Sequence, residues 1–261
     1  MTARKDNEGI YMKEHYTIDY LYRLCDFNAP FNTQESWDNS GLNLGALTQT
    51  FEQIYLSLEL TEEIALAMRP NSVILTHHPL FFKSLKNFDF TTYPANLAKI
   101  LIAKNCALIA LHTNFDKSHL NEFFTQEVLG FIESRQEGLY CTSEITPIAF
   151  ENLAQNIKQK LKLPHIRALK ANELISHVFV ICGSGFSEIS TIAKLAPREG
   201  LLISGDLKYH DAMIAKSLGL SLLEIPHYES EKYFVEILDS ILKNAGYQAI
   251  ITDCKNPITY L

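Results

Sequence analysis

Short unbroken apolar runs alternate along this chain with stretches in which apolar positions recur every third or fourth residue, the pattern of strands alternating with amphipathic helices. Thr17 is placed to cap a first helix whose apolar positions Ile18, Leu21, Leu24 and Cys25 share one face, and Asn28-Ala29-Pro30 ends it. The turn-like string Trp37-Asp38-Asn39-Ser40-Gly41-Leu42 precedes a strand at residues 53–58. A helix opens at Thr61-Glu62-Glu63, with two acids in its first turn, and runs to about Arg69. Residues 72–76 are the next buried strand, ending directly on His77-His78-Pro79. After a loop, Pro94 opens a helix that runs to about Asn105, residues 106–111 form a strand ending on His112, and residues 120–129 form another helix.

The same alternation continues through a helix near residues 151–161 and a strand at 176–182, after which Gly183-Ser184-Gly185 makes a tight strand-to-helix junction. Strands at 201–204 and 220–225 flank a helix at 208–218. A strongly amphipathic helix carrying Phe234, Ile237, Leu238, Ile241 and Leu242 ends near Gly246, and residues 248–252 suit a last strand. The fold class predicted is α/β: two lobes with mainly parallel or mixed sheets and a metal cleft between them. We place the lobes at residues 1–130 and 131–261, with the C-terminal helix and strand able to pack back on the first.

Composition narrows the class without identifying it. The 261 residues are 47% hydrophobic and 20% charged, as in an ordinary globular protein with a sizeable core. A formal net charge of -7 argues against a broad nucleic-acid surface, and the scattered Arg4-Lys5, Lys158, Lys160 and Arg167 make no basic stripe. The five cysteines are dispersed with no CxxC pair, which points to reduced thiols in the cytoplasm. No apolar run reaches the roughly 20 residues that span a bilayer, and the polar opening lacks a signal peptide's apolar core. Residues 1–11 read as a loose leader, with Met12 a second plausible start.

Chemistry gathers where strands end. His77-His78, His112 with Asp116, and His227 with Glu231 each follow an apolar run. Such imidazole and carboxylate donors, with no thiolate pair, suit zinc, manganese, iron, cobalt or nickel, and there are enough of them for two divalent ions. Pro79 constrains the turn that brings two adjacent histidines to one side. Thr113-Asn114-Phe115 reads as a loop aiming Asp116, whereas His227 and Glu231 align only if a helix begins near Pro226. Taken alone, each cluster also reads as a surface histidine beside a polar turn or helix-surface pair.

Other motifs are weaker. Gly183-Ser184-Gly185 offers backbone amides to a phosphate, or simply packs. Asp206 is a candidate helix cap and His210 follows one turn later, both candidates for supporting or substrate-contacting roles. Trp37, the sole tryptophan, with Asp38 and Asn39, supplies either a stacking wall for a heterocycle or a core anchor beside a turn.

In order along the chain, Trp37-Asp38-Asn39-Ser40-Gly41-Leu42, His77-His78-Pro79, His112 with Asp116, Gly183-Ser184-Gly185, Ser204-Gly205-Asp206 and His227 with Glu231 resemble the GTP cyclohydrolase 1 type 2 homologue family, the YbgI-like dinuclear-metal proteins. The resemblance implies two divalent metal ions per subunit, held by His77, His78, Asp116, His227 and Glu231, with His112 at a nearby family histidine position. It also implies a toroidal homohexamer, a trimer of dimers, acting on GTP or a related small molecule. His112 and His210 are then the candidate proton carriers. The stretch Asp206 to His210 departs from the family's frequent form. A non-catalytic scaffold that uses the same metals to hold its assembly is the competing expectation.

Overall fold

A computed structural model describes residues 16–196, 198–252 and 254–259; the leader reading for residues 1–11 falls outside them. In chain order the strands are β1 (Gly41–Leu44), β2 (Gln53–Ser57), β3 (Ser72–Thr76), β4 (Ala107–Ala110), β5 (Arg135–Glu137) and β6 (Tyr140–Ala149). They continue with β7 (Arg167–Leu169), β8 (Leu174–Val180), β9 (Gly200–Ser204), β10 (Ser221–Glu224) and β11 (Ala249–Ile251). They form two mixed sheets with flanking helices, an α/β fold. The chain divides into two compact units, residues 1–115 with 234–261, and residues 116–233. This division precedes the expected boundary near 130, because the chain stays helical through residues 113–128 and offers no linker there.

In the first unit the sheet order is β1-β4-β3-β2-β11, with β4, β3, β2 and β11 parallel and β1 antiparallel at the edge. Every residue of β3 and β4 is buried, as expected for parallel strands covered on both faces. On one face Tyr55, Ile74 and Leu108 pack with Ile64 and Ala65 of the helix Glu62–Ala67 and with Leu97, Ala98 and Leu101 of the helix Ala95–Ala103. The helix Phe234–Asn244 contacts β2 and β11. Thr17 caps the first helix, Ile18–Asn28, and Thr61 the second, each accepting a backbone N–H three residues on; such caps stabilise by about 1 kcal/mol.

The second unit has the order β5-β6-β8-β9-β10-β7 around a parallel core of β8, β9 and β10. Phe179, Leu202 and Leu222 pack with Ile189 and Ile192 of the helix Ile189–Leu195 and Ala215 of the helix Tyr209–Leu218. The helix Phe150–Lys160 lies against β6 and β8. Among the described residues no helix is long and apolar enough to cross a membrane.

Candidate metal centre

In both units the three parallel core strands deliver their C-terminal ends to one edge, where side chains are free of the ladder. In the first unit β2, β3 and β4 end at Ser57, Thr76 and Ala110, and Glu59, His77-His78 and His112 follow within two residues. Leu111 N–H donates to Thr76 C=O, and Thr76 Oγ1 donates to His78 C=O, which holds the turn after β3 in place. One ring nitrogen each from His77, His78 and His112 lies within 4.8 Å of the others, close enough to share a cation.

The hydrogen bonds select which nitrogen that is. His77 Nδ1 is 2.9 Å from Leu111 C=O, His78 Nδ1 is 2.9 Å from Glu59 Oε2, and His112 Nδ1 is 2.8 Å from Asp38 Oδ1. A neutral imidazole carries one N–H, and an oxygen acceptor at Nδ1 places it there, leaving the Nε2 lone pair for a metal or a proton. Oriented imidazoles of this kind are how proteins tune a metal's ligands. Asp38 is fully buried at its side chain and also accepts from Thr113 N–H at 3.0 Å, Thr113 Oγ1 at 2.5 Å and Ser40 Oγ at 3.0 Å. Burial pushes its carboxyl up, but the hydrogen bond and charge of His112, with those from Thr113 and Asn39, outweigh this and hold it well below the usual carboxylate range. Asp38 is thus held in place by neighbouring groups of the protein.

In the second unit β8, β9 and β10 lead to Gly183, Asp206 and His227. His227–Glu231 is a short helix entered from Pro226, so the imidazole and carboxylate stack one turn apart, with Nε2 2.9 Å from Oε2. His227 Nδ1 is 2.8 Å from Asp206 Oδ2. A neutral ring between two carboxylates has one proton too few for both, a deficit that a cation at the Nε2 side would fill. Asp206 adopts a left-handed φ of 61° to make this reach, and it is not the helix cap expected from sequence: Lys208 stands at the cap position, where its N–H donates to Asp211.

Gly183 has a structural reason. A Cβ there would lie 2.1 Å from Glu231 Oε1, and its φ is +65°. Its N–H donates to Ser230 Oγ, and that of Gly185 to Ser204 Oγ. Both amides expected to cradle phosphate are therefore used within the fold, and the glycines serve close packing against Glu231 and Ile181. Asp116 is 5% exposed and Glu231 2%. The Cys182 thiol, buried beside both, is pushed well up first by burial and then by those carboxylates.

The stretch after His112 differs from the loop expected from sequence. Thr113–Phe115 is already a helical turn, followed by a π turn over Asp116–Leu120, because Thr113 is anchored on Asp38 as soon as the strand ends. His210 and Ser184 are exposed. Trp37 is 54% exposed, which excludes the core-anchor reading; its ring centroid is 6.1 Å from that of His112. Asn39 is also exposed, with Nδ2 donating to Phe81 C=O. Sequence reading missed Glu59 as the partner of His78; its place two residues past a parallel strand was the available signal.

A family model described as Duf34/NIF3 (NGG1p interacting factor 3) matches residues 16–257. The chain belongs to the Duf34/NIF3 family. It is 44% identical over 241 residues to a Helicobacter pylori (strain J99) protein named GTP cyclohydrolase 1 type 2, covering 92% of this chain and 96% of that one. It is 42% identical to a Campylobacter jejuni protein named GTP cyclohydrolase 1 type 2 homolog, covering 93% and 99%. A Staphylococcus aureus hypothetical protein of known structure has the same fold, with a TM-score of 0.77 at 24% identity over 94% of this chain and 99% of that one. Family membership and the two donor groups together support a metal-binding protein.

Proposed function

We propose that the chain is a dinuclear-metal-dependent hydrolase of GTP cyclohydrolase type, with His77, His78, Asp116, His227 and Glu231 as ligands of two divalent ions. The observation that carries this reading is that each of these histidines has Nδ1 on an oxygen acceptor, so that Nε2 is the atom that would coordinate in every case. Zinc, manganese, iron, cobalt and nickel all suit such donors. When bound, such ions lower the pKa of water and polarise an electrophilic carbon. Asp116 and Glu231 supply the negative charge that neutral imidazoles cannot.

His112 is the proton carrier in this reading. Its Nδ1–H is held by the buried, ionised Asp38, which steadies the ring when Nε2 takes a proton. Water adds to the imidazole carbon of guanine and one C–N bond breaks to leave a formamide. A second water hydrolyses that formamide, its C–N bond breaking to release formate and a free amine, and ring closure with loss of water is then a route to dihydroneopterin triphosphate. The relatives' names support the substrate class. The family resemblance likewise supports a toroidal homohexamer in the cytoplasm, and exposed Tyr209, Met213, Ile214 and Leu218 on one helix offer an apolar surface for another copy to cover. The test is formate release from GTP by protein reconstituted with each metal in turn, beside a panel of nucleotides and phosphoesters. Metal-dependent formate is expected; its absence with every metal overturns the cyclohydrolase assignment, and assembly without any turnover supports the scaffold instead.

A further inference from the structure

Beside the histidine trio, within the first unit, lies a pocket of about 390 Å³ whose lining includes Trp37, Asp38, Asn39, Phe82, Lys83 and Phe88. Its volume falls within the roughly 300–1,000 Å³ typical of small-molecule sites. Trp37 and Phe82 stand 5.8 Å apart at a 55° tilt, and each ring presents an edge-type contact to His112, at 6.1 and 6.0 Å. Trp37, Phe82 and Phe88 are 54%, 45% and 45% exposed, large apolar areas that a water-facing surface rarely collects without use. The walls are fixed to each other: Asn39 Nδ2 donates to Phe81 C=O at 2.7 Å and to this Asn43 adds a contact, its Oδ1 accepting from Phe81 N–H at 3.4 Å. Concavity, aromatic walls and a few polar groups distinguish this place from a flat patch made for another protein.

We propose that this pocket is the binding site for the ring of a phosphorylated purine-type heterocycle, stacked on Trp37 and Phe82 with its phosphates towards Lys83. The assignment rests on the proposed hydrolase reading and deepens it, since it sets the ring beside His112 and moves phosphate recognition away from the glycine turn. Lys83 is exposed at the pocket's rim and supplies the positive charge that a chain of net charge -7 needs locally to attract an anion. Aromatic stacking tolerates many bases, so the pocket selects planar rings more than one base.

Because Trp37 is the only tryptophan, its fluorescence reports occupancy directly, without turnover. GTP and guanosine are expected to quench it saturably, and inorganic tripolyphosphate is not. Phe82→Ala, a change at an exposed side chain, should weaken both ligands about tenfold, whereas Lys83→Ala should weaken GTP and leave guanosine unchanged. Quenching that persists when no formate is released supports the pocket while the hydrolase reading falls. GTP turnover with unquenched Trp37 and an unchanged KM in Phe82→Ala overturns the pocket while the metal centre stands. Absence of both quenching and turnover overturns both.

Discussion

Each unit brings the ends of three neighbouring parallel strands to the edge of its sheet, and the two load that edge differently. In the first unit β3 and β4 lead to three imidazoles and β2 to Glu59, whereas in the second β9 and β10 lead to Asp206, His227 and Glu231 and β8 to Gly183. Their supports differ as well: Asp38, which holds His112, has no exposed side-chain surface, whereas the side chain of Asp206, which holds His227, is 45% exposed. Neutral ligands give direction without cancelling a dication's charge, so the first unit specifies geometry and the second supplies the negative charge. Substitutions in each unit should therefore fail for different reasons.

The largest effect is expected where charge is removed. Glu231→Gln keeps the shape of the side chain but not its charge, and should lower metal affinity and metal-dependent hydrolysis by more than about 100-fold, beyond the range seen for residues that only orient ligands. Isothermal titration with zinc or manganese reads the affinity. A variant that binds as the unchanged protein does would dissolve the charge distinction between the units.

Substitution of the supports sharpens it. Asp206→Asn, at the support of the ligand His227, should weaken metal binding by about 10–100-fold, whereas Asp38→Asn, at the support of the proton carrier His112, should lower turnover with metal content kept. Only the buried site should also lose about 1–3 kcal/mol of stability, because its hydrogen-bond partners cannot turn to water. Urea denaturation of the metal-free proteins checks this. Equal stability losses would mean that burial does not separate the two supports.

Within the second unit, Gly183 and Gly219 share positive φ values, +65° and +72°, but an added Cβ meets Glu231 at the first and nothing within 4 Å at the second. Gly219→Ala should cost about 1–2 kcal/mol for the left-handed backbone alone. Gly183→Ala should cost more and also lower metal affinity. Similar stabilities and affinities for the two would show that the glycine is not spaced against Glu231.

The smallest effect concerns thiols. Burial and then the neighbouring Asp26 charge push Cys25 up to about 12, and Cys182 is also pushed well up, while Cys254 is partly exposed. Near pH 8 the native protein should show fast reaction with a thiol reagent at Cys254 and slow reaction at Cys25 and Cys182. Fast labelling of Cys182 would contradict its burial beside the carboxylates.

The strand ends and their histidines were legible because a buried parallel strand has to be apolar, so His77, His112 and His227 stand out as breaks in the pattern. His227 with Glu231 was legible as an i to i+4 pair once Pro226 set the helix start. The partners at Nδ1 were not: Asp38 lies 74 residues from His112 and Glu59 19 from His78, and nothing local marks such pairs. The helical turn at Thr113 was misread as a loop because its start is set by the distant Asp38 rather than by a nearby cap. For the glycine turn, phosphate binding and simple packing both stay open in sequence, because sequence cannot show that Ser230 and Ser204 already take its amides.

The central proposal is that His77, His78, Asp116, His227 and Glu231 hold two divalent ions, and metal stoichiometry tests it most directly. Protein purified without chelator and measured by elemental mass spectrometry should hold two divalent ions per chain. His78→Ala in the first unit and Asp116→Ala in the second should each bring that count down, with the fold retained by circular dichroism. Unchanged metal content in both variants would contradict the account.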